Sequence, residues 1–455
     1  MTSFFQRLFT FAITGILLST PASARSIILI IGDGFDDQHV TMARNYLQGA
    51  AGKLRLDDMP FRGAVQIETL GTDGKPVYVA DSANTATSLA TGVVTQMGRV
   101  GTAADDSDAI TIAERAVAAG YRTGIVSTAS VTDATPASFM AHVARRFCEN
   151  PQGMNGRPEY GVPGCPQDAR ENGGPGSIAE QIARSSMTVI LGGGARHFQA
   201  PSPVDGVTAL ATAQAQGFAI LSSAEELTAA KTGSRVLGLF ASSHLPVRWQ
   251  GTDGRIAEPM IAQEDGDSVS YAEPEPMSCE PNPEFASTPD MAVMTQRAIE
   301  LLNHDNPQGF FLMVESASID KQSHARNPCG SIGEVEQLEE ALAVALEFAA
   351  ADGDTLVLVT ADHAQAAQIL SEPSMFATLG GSAGMTMFPP GHFARIRTPE
   401  GSTMRVNYGT NNGMMEEHTG ANVPLFGNAV AADFFNVFSR QRDVHDAMAS
   451  FLELP

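Results

Sequence analysis

Short apolar runs alternate with amphipathic segments along most of this chain, and this alternation restricts its fold more than any other feature. Six runs have the length and composition of buried parallel strands: 26–31, 123–127, 187–191, 235–240, 310–314 and 355–360. Between them, apolar residues recur at helical spacing in 110–119, 177–184, 291–302 and 334–350. The pattern predicts an α/β fold, in which a central, mostly parallel sheet carries helices on both faces.

The mature chain is expected to form one domain, 25–455, because no internal repeat or linker-like composition divides it. Two segments interrupt the alternation. Residues 251–289 are rich in Pro, Glu and Asp, and residues 371–415 are rich in Gly, Met and Pro. Both are predicted to be surface insertions in this single domain.

The first 24 residues have the layout of a secretory signal peptide. Arg7 precedes an apolar run, 8–18, and small residues then offer a cleavage site after Ala24. The apolar run is much shorter than the ~20 residues that a membrane-spanning helix needs. We therefore expect an exported protein, periplasmic or secreted, without stable membrane association.

The chain is strongly acidic, with 28 Lys and Arg against 51 Asp and Glu and a net charge of −23. Such a field repels nucleic acid and anionic membranes at long range. Most of these carboxylates are expected to serve solubility alone. An anionic substrate would therefore need a locally positive site.

Four cysteines, Cys148, Cys165, Cys279 and Cys329, suggest two disulfides in an exported chain. The sequence alone allows three pairings. Sequential pairing closes the shortest loops, and both of these loops are rich in Pro and Gly. A Cys-rich metal site is disfavoured because no two cysteines are close in sequence.

Carboxylates and an imidazole follow four of the predicted strands at the point where each strand ends. They are Asp33, Asp133, Glu315, Asp362 and His363. In open α/β sheets, ligands gather outside the carboxyl ends of the strands, so these side chains are expected at one edge. One such carboxylate is commonly a helix cap, but four with a neighbouring histidine indicate a site.

Further metal-ligand types occur in the second half of the chain. Asp320 and His324 are four apart, which places both on one face of a helix, and His418 lies near the C-terminus. Any one of these histidines alone is better explained as an ordinary core or surface residue. Together with His363, these residues give three histidines in acidic surroundings. Such a set instead favours zinc, which prefers mixed carboxylate and imidazole ligands.

Ser82 stands where a helix is predicted to begin, ahead of the small residues 84–92. The positive field of a helix N-terminus favours bound phosphate and a deprotonated hydroxyl. The preceding Asp81 fits an ordinary helix cap equally well, so the motif gains weight only beside metal ions. A bound cation can activate a serine without a histidine base.

Seven motifs occur in order along the chain: Ile31-Gly32-Asp33-Gly34, Asp81-Ser82-Ala83, Asp133-Ala134-Thr135-Pro136-Ala137, Gly192-Gly193-Gly194-Ala195, Ala317-Ser318-Ile319-Asp320-Lys321-Gln322, Thr360-Ala361-Asp362-His363 and His418-Thr419-Gly420. Together they resemble the alkaline phosphatase family, and its bacterial periplasmic branch more than its vertebrate one. The resemblance covers almost the entire mature chain. It implies a phosphate monoester hydrolase that acts on small phosphate monoesters.

The resemblance also implies two zinc ions and one magnesium ion. The first zinc would be held by Asp320, His324 and His418, and the second by Asp33, Asp362 and His363 together with Ser82. Magnesium would be held by Asp33, Thr135, Glu315 and waters, since it requires hard oxygen ligands. Asp133 and Lys321 would hold those waters, and the bacterial branch carries Asp and Lys at these two positions.

Arg146 matches the family arginine that binds the phosphate, since a guanidinium can hold two phosphoryl oxygens at once. Without the resemblance, Arg146 would be a solvated helix charge, as is assumed for Arg145. The implied reaction is in-line attack by Ser82 on phosphorus, giving a phosphoserine that water then hydrolyses. The family's disulfide pattern also supports the sequential pairing.

The chain departs from the family at two places. Gln365 replaces a histidine that usually supports a zinc ligand, and loss of such a partner can cost ~10 to 100-fold in metal affinity. We expect Gln365→His to tighten zinc binding. The first strand begins just after the predicted cleavage site, so the expected homodimer would lack the family's usual N-terminal arm in its interface.

Three other functions are compatible with parts of the sequence. A phosphodiesterase or sulfatase on the same scaffold fits the ligands, but Arg146 and magnesium suit a dianionic monoester better. A non-catalytic metal- or phosphate-binding protein would not need Ser82. A serine hydrolase with a Ser-His-Asp triad is disfavoured because Ser82 lacks the Gly-x-Ser-x-Gly motif.

Overall fold

The computed structural model describes residues 24–265, 268–372 and 391–455. The predicted signal peptide up to residue 23 and part of the second predicted insertion, 373–390, lie outside the described residues. Among the helices of the described segments, none is both long enough and apolar enough to cross a bilayer.

Ten strands form the central sheet. In chain order they are β1 (Ser26–Gly32), β2 (Phe61–Gln66), β3 (Arg122–Ser130), β4 (Val189–Gly193), β5 (Phe218–Leu221), β6 (Arg235–Leu239), β7 (Phe310–Ser316), β8 (Thr355–Ala361), β9 (Val423–Gly427) and β10 (Phe438–Arg440). Their order across the sheet is β10-β2-β9-β8-β1-β7-β3-β4-β6-β5. Only β9 is antiparallel to its neighbours, which confirms the predicted mostly parallel sheet.

Helices pack on both faces of this sheet. They are α1 (Asp37–Leu47), α2 (Ser82–Thr91), α3 (Ile112–Ala118), α4 (Ala134–Ala137), α5 (Ile178–Arg184), α6 (Ala209–Ala215), α7 (Ala224–Ala229), α8 (Met291–Asn303), α9 (Ser318–His324), α10 (Pro328–Asp352) and α11 (Gln441–Phe451). The four predicted helical segments correspond to α3, α5, α8 and α10, although α3 is shorter than the predicted 110–119. Helix α10 begins earlier than predicted because Asn327 caps it and Pro328 occupies its first position.

The six predicted strands correspond to β1, β3, β4, β6, β7 and β8. Every residue of β1, β7 and β8 is buried, as expected of strands covered on both faces. The sequence analysis did not identify β2, β5, β9 or β10. Strand β2 has only two buried residues among six, and β9 contains a proline, so neither shows the continuous apolar run of the central strands.

The two predicted insertions contribute to a second, smaller sheet. Its strands are Glu258–Pro259, Gln368–Leu370, His392–Arg397 and Thr403–Tyr408. Phe393, Val406 and Tyr408 are fully buried there. The expectation of a segment confined to the surface therefore does not hold for the strands His392–Arg397 and Thr403–Tyr408, which pack into a second, smaller core together with residues of α1 and α10.

Both disulfides follow the sequential pairing. Cys148 is bonded to Cys165, and Cys279 is bonded to Cys329. The first disulfide closes the loop that follows Arg146. The second joins a strand of the insertion 251–289 to the first turn of α10. The predicted pairing is confirmed.

Candidate active site

Three neighbouring strands end in register at the candidate site. Ile31 of β1 lies beside Glu315 of β7, and Gly32 lies beside Ala361 of β8. Asp33 directly follows β1 and Asp362 directly follows β8, so both residues lie at the same edge of the sheet. This is the carboxyl-terminal edge where open α/β sheets bind their ligands.

One cluster joins Asp320, His324 and His418. Helix α9 follows β7 directly and places Asp320 and His324 on the same face. Asp320 Oδ1 lies 3.4 Å from His324 Nε2 and 3.3 Å from His418 Nε2, and the two Nε2 atoms lie 3.0 Å apart. Three potential ligand atoms thus converge on one point.

A second cluster joins Asp33, Asp362 and His363 beside Ser82. His363 Nε2 lies 3.4 Å from Asp33 Oδ1 and 3.5 Å from Asp362 Oδ2. Ser82 Oγ lies 3.2 Å from His363 Nε2 and 3.3 Å from Asp33 Oδ1. The rings of His363 and His418 stack with their centroids 3.7 Å apart, so the two clusters adjoin each other.

All three histidines direct the same ring nitrogen into the clusters. The Nδ1 atoms of His324, His363 and His418 lie 2.5, 3.1 and 2.7 Å from the backbone carbonyl oxygens of Glu416, Ala364 and Ala80. A carbonyl can only accept, so each Nδ1 carries a hydrogen, and in the neutral form of each ring the Nε2 that faces the clusters has the free lone pair. Such an outer hydrogen bond is what fixes the tautomer of a metal-binding histidine.

The donor set fits bound cations. Asp362 Oδ2 and Thr135 Oγ1 are buried and have no hydrogen-bond partner among the described residues. Burial raises the pKa of Asp33, and the charges of Asp362 and Asp320 raise it further. Burial likewise raises the pKa of Glu315 to about 7. Uncompensated buried carboxylates of this kind are expensive unless cations neutralise them.

Ser82 begins α2, as the sequence predicted, and is 2% exposed. Asp81 caps the helix by accepting from the backbone N–H of Asn84 at 3.2 Å. The same carboxylate pairs with Arg146, whose Nη1 lies 3.2 Å from Asp81 Oδ2. The cap therefore also positions the guanidinium beside the serine.

Arg146 and Lys321 supply the positive charge that the acidic chain requires at this site. Arg146 Nη2 lies 3.3 Å from Asp133 Oδ1, and Lys321 Nζ lies 2.7 Å from Asp133 Oδ2. Burial alone would raise the pKa of Asp133, but these two cations lower it well below its usual range. Arg146 lies in a loop and its side chain is 21% exposed, so it is not a solvated helix charge.

Gln365, at the position where the family resemblance implies a histidine, contacts the potential metal ligand Asp320. Its Nε2 donates to Asp320 Oδ1 at 2.7 Å, and its Oε1 accepts from the Ala366 N–H at 2.7 Å. The second contact fixes the orientation of the amide. Gln365 therefore supplies Asp320 with a hydrogen-bond donor.

Replacing Gln365 with leucine is expected to weaken metal binding at the Asp320 cluster by about tenfold, because Asp320 loses its donor. Zn²⁺ affinity would be measured by competition with a chromogenic chelator. Gln365→His is the matched control, since a histidine can restore the donor and is expected to bind zinc at least as tightly as the wild type. Equal zinc retention by Gln365→Leu and the wild type would contradict this role.

Two buried acids that support the site carried no signal in the sequence. Glu334 Oε2 accepts from Thr128 Oγ1 at 3.0 Å and from Ser316 Oγ at 3.2 Å, just before α9 begins. Glu416 pairs with Arg326 at 2.6 Å and so holds the carbonyl that receives the His324 hydrogen bond. Both contacts join distant parts of the chain, so only the structure identifies them.

The site combines a serine hydroxyl, two clusters of carboxylates and imidazoles, and a half-buried guanidinium. This combination defines a class of enzymes, the metal-dependent phosphoryl hydrolases. Sequence comparison places the chain within that class: it belongs to the alkaline phosphatase family, whose sequence model matches residues 24–385. The predicted family is confirmed, and the chain is a metal-dependent phosphomonoesterase.

Similar proteins cover most of the chain. It is 41% identical to the alkaline phosphatase of Escherichia coli over 415 residues, which are 88% of this chain and 80% of that protein. It is 40% identical to the streptomycin-6-phosphate phosphatase of Streptomyces griseus, over 95% of this chain and 90% of that protein. The alkaline phosphatase of the Antarctic bacterium TAB5 has the same fold, with a TM-score of 0.68, 21% identity and coverage of 95% and 100%.

Proposed function

We propose that Ser82 is the nucleophile of this phosphomonoesterase and that its Oγ becomes phosphorylated during turnover. The observation that carries the proposal is the position of this hydroxyl, buried at the N-terminus of α2 and within 3.3 Å of both Asp33 and His363. A serine held there faces the positive end of a helix and a cluster of potential metal ligands.

The metal ligands are proposed as follows: Asp320, His324 and His418 for one zinc, Asp33, Asp362 and His363 for a second, and Asp33, Thr135 and Glu315 for magnesium. The fixed Nε2 lone pairs suit zinc, and the partnerless Thr135 hydroxyl suits a hard cation. When bound, such ions lower the pKa of coordinated hydroxyls and stabilise negative charge on phosphoryl oxygens.

Arg146 is proposed to hold the phosphoryl group during the reaction. Its Nη1 and Nη2 atoms are oriented by Asp81 and Asp133, and Lys321 fixes Asp133 in turn. A guanidinium held at both ends loses little entropy when it binds two phosphoryl oxygens. Arg146 thereby selects a dianionic monoester, whereas a diester offers fewer charged oxygens.

In the proposed reaction, Ser82 Oγ attacks phosphorus and the alcohol leaves from the opposite side. The Ser82 proton passes to solvent, the new O–P bond replaces the ester bond, and the departing alcohol takes up a proton from solvent. A water molecule then attacks the phosphoserine from the side that the alcohol vacated. This second displacement releases inorganic phosphate and restores the Ser82 hydroxyl.

We propose that the protein is exported to the periplasm or the medium after loss of residues 1–24, and that residues 25–455 form the catalytic domain. The two disulfides support an oxidising compartment. A homodimer without the family's N-terminal arm is the proposed assembly. Small phosphate monoesters are the proposed substrates, and the Streptomyces griseus relative is named for one of them, streptomycin-6-phosphate.

Acid quenching during turnover of p-nitrophenyl phosphate is expected to trap a phosphoryl group on the peptide that contains Ser82. Acid stops the second displacement while a phosphoserine survives, and mass spectrometry of the digested protein locates the modification. Phosphate on another residue, or steady turnover without any trapped phosphate, would contradict the assignment. Preferred turnover of the bis(p-nitrophenyl) diester or of p-nitrophenyl sulfate would instead overturn the role given to Arg146.

A further inference from the structure

The candidate site opens into a cleft of about 920 Å³ that extends beyond Arg146. Two further arginines, Arg145 and Arg196, line this cleft together with Phe147, Glu149 and Val162, and these five residues are called its outer wall. A cavity of about 370 Å³ adjoins this wall and shares Phe147, Glu149 and Val162 with it. That cavity adds a third arginine, Arg157.

These three arginines differ from most others in the chain. Arg44, Arg248 and Arg405, for example, pair with carboxylates at 2.5–2.6 Å. By contrast, the guanidinium groups of Arg145 and Arg157 have no hydrogen bond or ion pair with any residue that the structure describes.

Arg196 donates its Nε only to the His197 ring, at 3.0 Å. Burial lowers the pKa of His197 to about 4, so the ring that receives this bond is neutral at working pH. None of the three arginines forms a direct ion pair with a carboxylate among the described residues, in a chain whose net charge is −23. Glu149 lies close enough to Arg196 for the two charges to interact.

The acids of the cleft do not cancel this charge. Asp81 and Asp133 are already paired with Arg146, and Lys321 also pairs with Asp133. Glu149 accepts a hydrogen bond from Thr132 Oγ1 at 2.6 Å. Burial raises the pKa of Glu149 to about 7, and even when fully charged this carboxylate offsets only one of the three arginines. The outer wall is therefore positive.

We propose that Arg145, Arg157 and Arg196 form a leaving-group subsite, which favours phosphate monoesters whose alcohol carries a second anionic group such as a carboxylate or phosphate. The proposal rests on the proposed binding of the reacting phosphoryl group between Ser82 and Arg146. An alcohol bound there can extend along the cleft past Arg145 and Arg196 and toward the adjoining cavity, which Arg157 lines. Unpaired cations in a cleft attract and retain an anionic group by direct and long-range electrostatic forces.

Three phosphate monoesters that differ in the charge of the alcohol test the subsite. They are 3-phosphoglycerate, with an anionic alcohol, glycerol 3-phosphate, with a neutral one, and phosphocholine, with a cationic one. The wild type is expected to show kcat/KM falling in that order, by about three- to tenfold at each step at low ionic strength. The ratios are expected to shrink in high salt, because salt screens partly exposed charges.

Replacing all three arginines with glutamine is expected to bring the three kcat/KM values within about twofold of one another, since each exposed pair contributes a few-fold at most. Turnover of glycerol 3-phosphate should persist, which separates loss of the subsite from loss of the phosphatase reaction. Arg55→Gln is the control, because it removes the same charge from an exposed position that does not line the cleft. It should leave the ratios unchanged.

The single variants and the salt dependence of the wild type keep the proposal testable if the triple variant fails to fold. Each single substitution is expected to lower the ratio of 3-phosphoglycerate to phosphocholine by about two- to fivefold. A wild type without any order among the three esters would overturn the proposal. An order that survives all the substitutions, or that is insensitive to salt, would overturn it as well.

Discussion

Replacing Ser82 with alanine is expected to lower kcat for phosphate monoesters by about 10³ to 10⁵-fold, the range seen when a nucleophile is removed from a preorganised site. The loss should be large because the Ser82 hydroxyl lies within 3.3 Å of both Asp33 and His363, and alanine offers no oxygen at that position. Steady-state rates on p-nitrophenyl phosphate would measure it. The acid-quenched variant should carry no phosphoryl group on the α2 peptide.

Ser88→Ala provides a matched control for Ser82→Ala. Ser88 lies in the same helix, and its hydroxyl donates only to the backbone oxygens of Asn84 and Val93. Its loss should change stability slightly and kcat little, since it removes local hydrogen bonds alone. A Ser82→Ala enzyme that keeps most of its activity and its metal content would exclude Ser82 as the nucleophile.

Replacing Asp362 with asparagine is expected to lower kcat/KM by about 10² to 10³-fold and to remove bound metal, because it takes away one charged ligand from a buried cation site. The substitution preserves shape. Asp362 Oδ1 accepts from the N–H groups of Gly34 and His363 at 3.1 and 2.9 Å, and an asparagine oxygen can keep both bonds. Only Oδ2 changes. This oxygen has no hydrogen-bond partner among the described residues, and in the variant it becomes an amide nitrogen that cannot bind a cation.

The melting temperature of Asp362→Asn should fall below that of the wild type with metal bound, but not after chelation. With metal, the wild type is stabilised by binding energy that the variant lacks, so the variant should melt lower. After chelation, the variant should melt at the same temperature or higher, since it has lost a buried charge beside Asp33.

Metal content of the Asp362 variant would be measured by inductively coupled plasma mass spectrometry. Asp352→Asn is the control, because Asp352 lies at the opposite end of β8, where it accepts from Thr355 Oγ1 at 2.6 Å. The control should retain full metal content and activity. Unchanged metal content in Asp362→Asn would contradict the assignment of Asp362 as a ligand.

The central strands could be predicted from the sequence because burial on both faces leaves a continuous apolar run. Strand β1, Ser26–Gly32, is the clearest case. The peripheral strands could not be predicted. Pro424 lies inside β9. The antiparallel pairing of β9 with β8 joins residues that are more than sixty positions apart in the sequence. The small sheet was missed because composition rich in Gly, Met and Pro obscured the apolar residues Phe393 and Val406.

The convergence of the candidate ligands could also be predicted, because parallel strands present their carboxyl ends at one edge. Asp33, Glu315 and Asp362 leave that edge as expected. Their ligand roles stay predictions. No local pattern in the sequence indicates the orientation of the loop after β3. The sequence therefore predicts a solvated charge at Arg145, whereas in the structure Arg145 lines the cleft.

The candidate ligands are drawn from distant parts of the chain, from Asp33 just after β1 to His418 just before β9. No contiguous fragment that lacks either region contains the whole set. During biosynthesis, the full set of candidate ligands can therefore come together only after the chain has been made through His418 and its central sheet has formed. Products truncated before His418 would lack the protection against proteolysis that bound ions give, so retention of every ion would report that the chain has folded at least through His418.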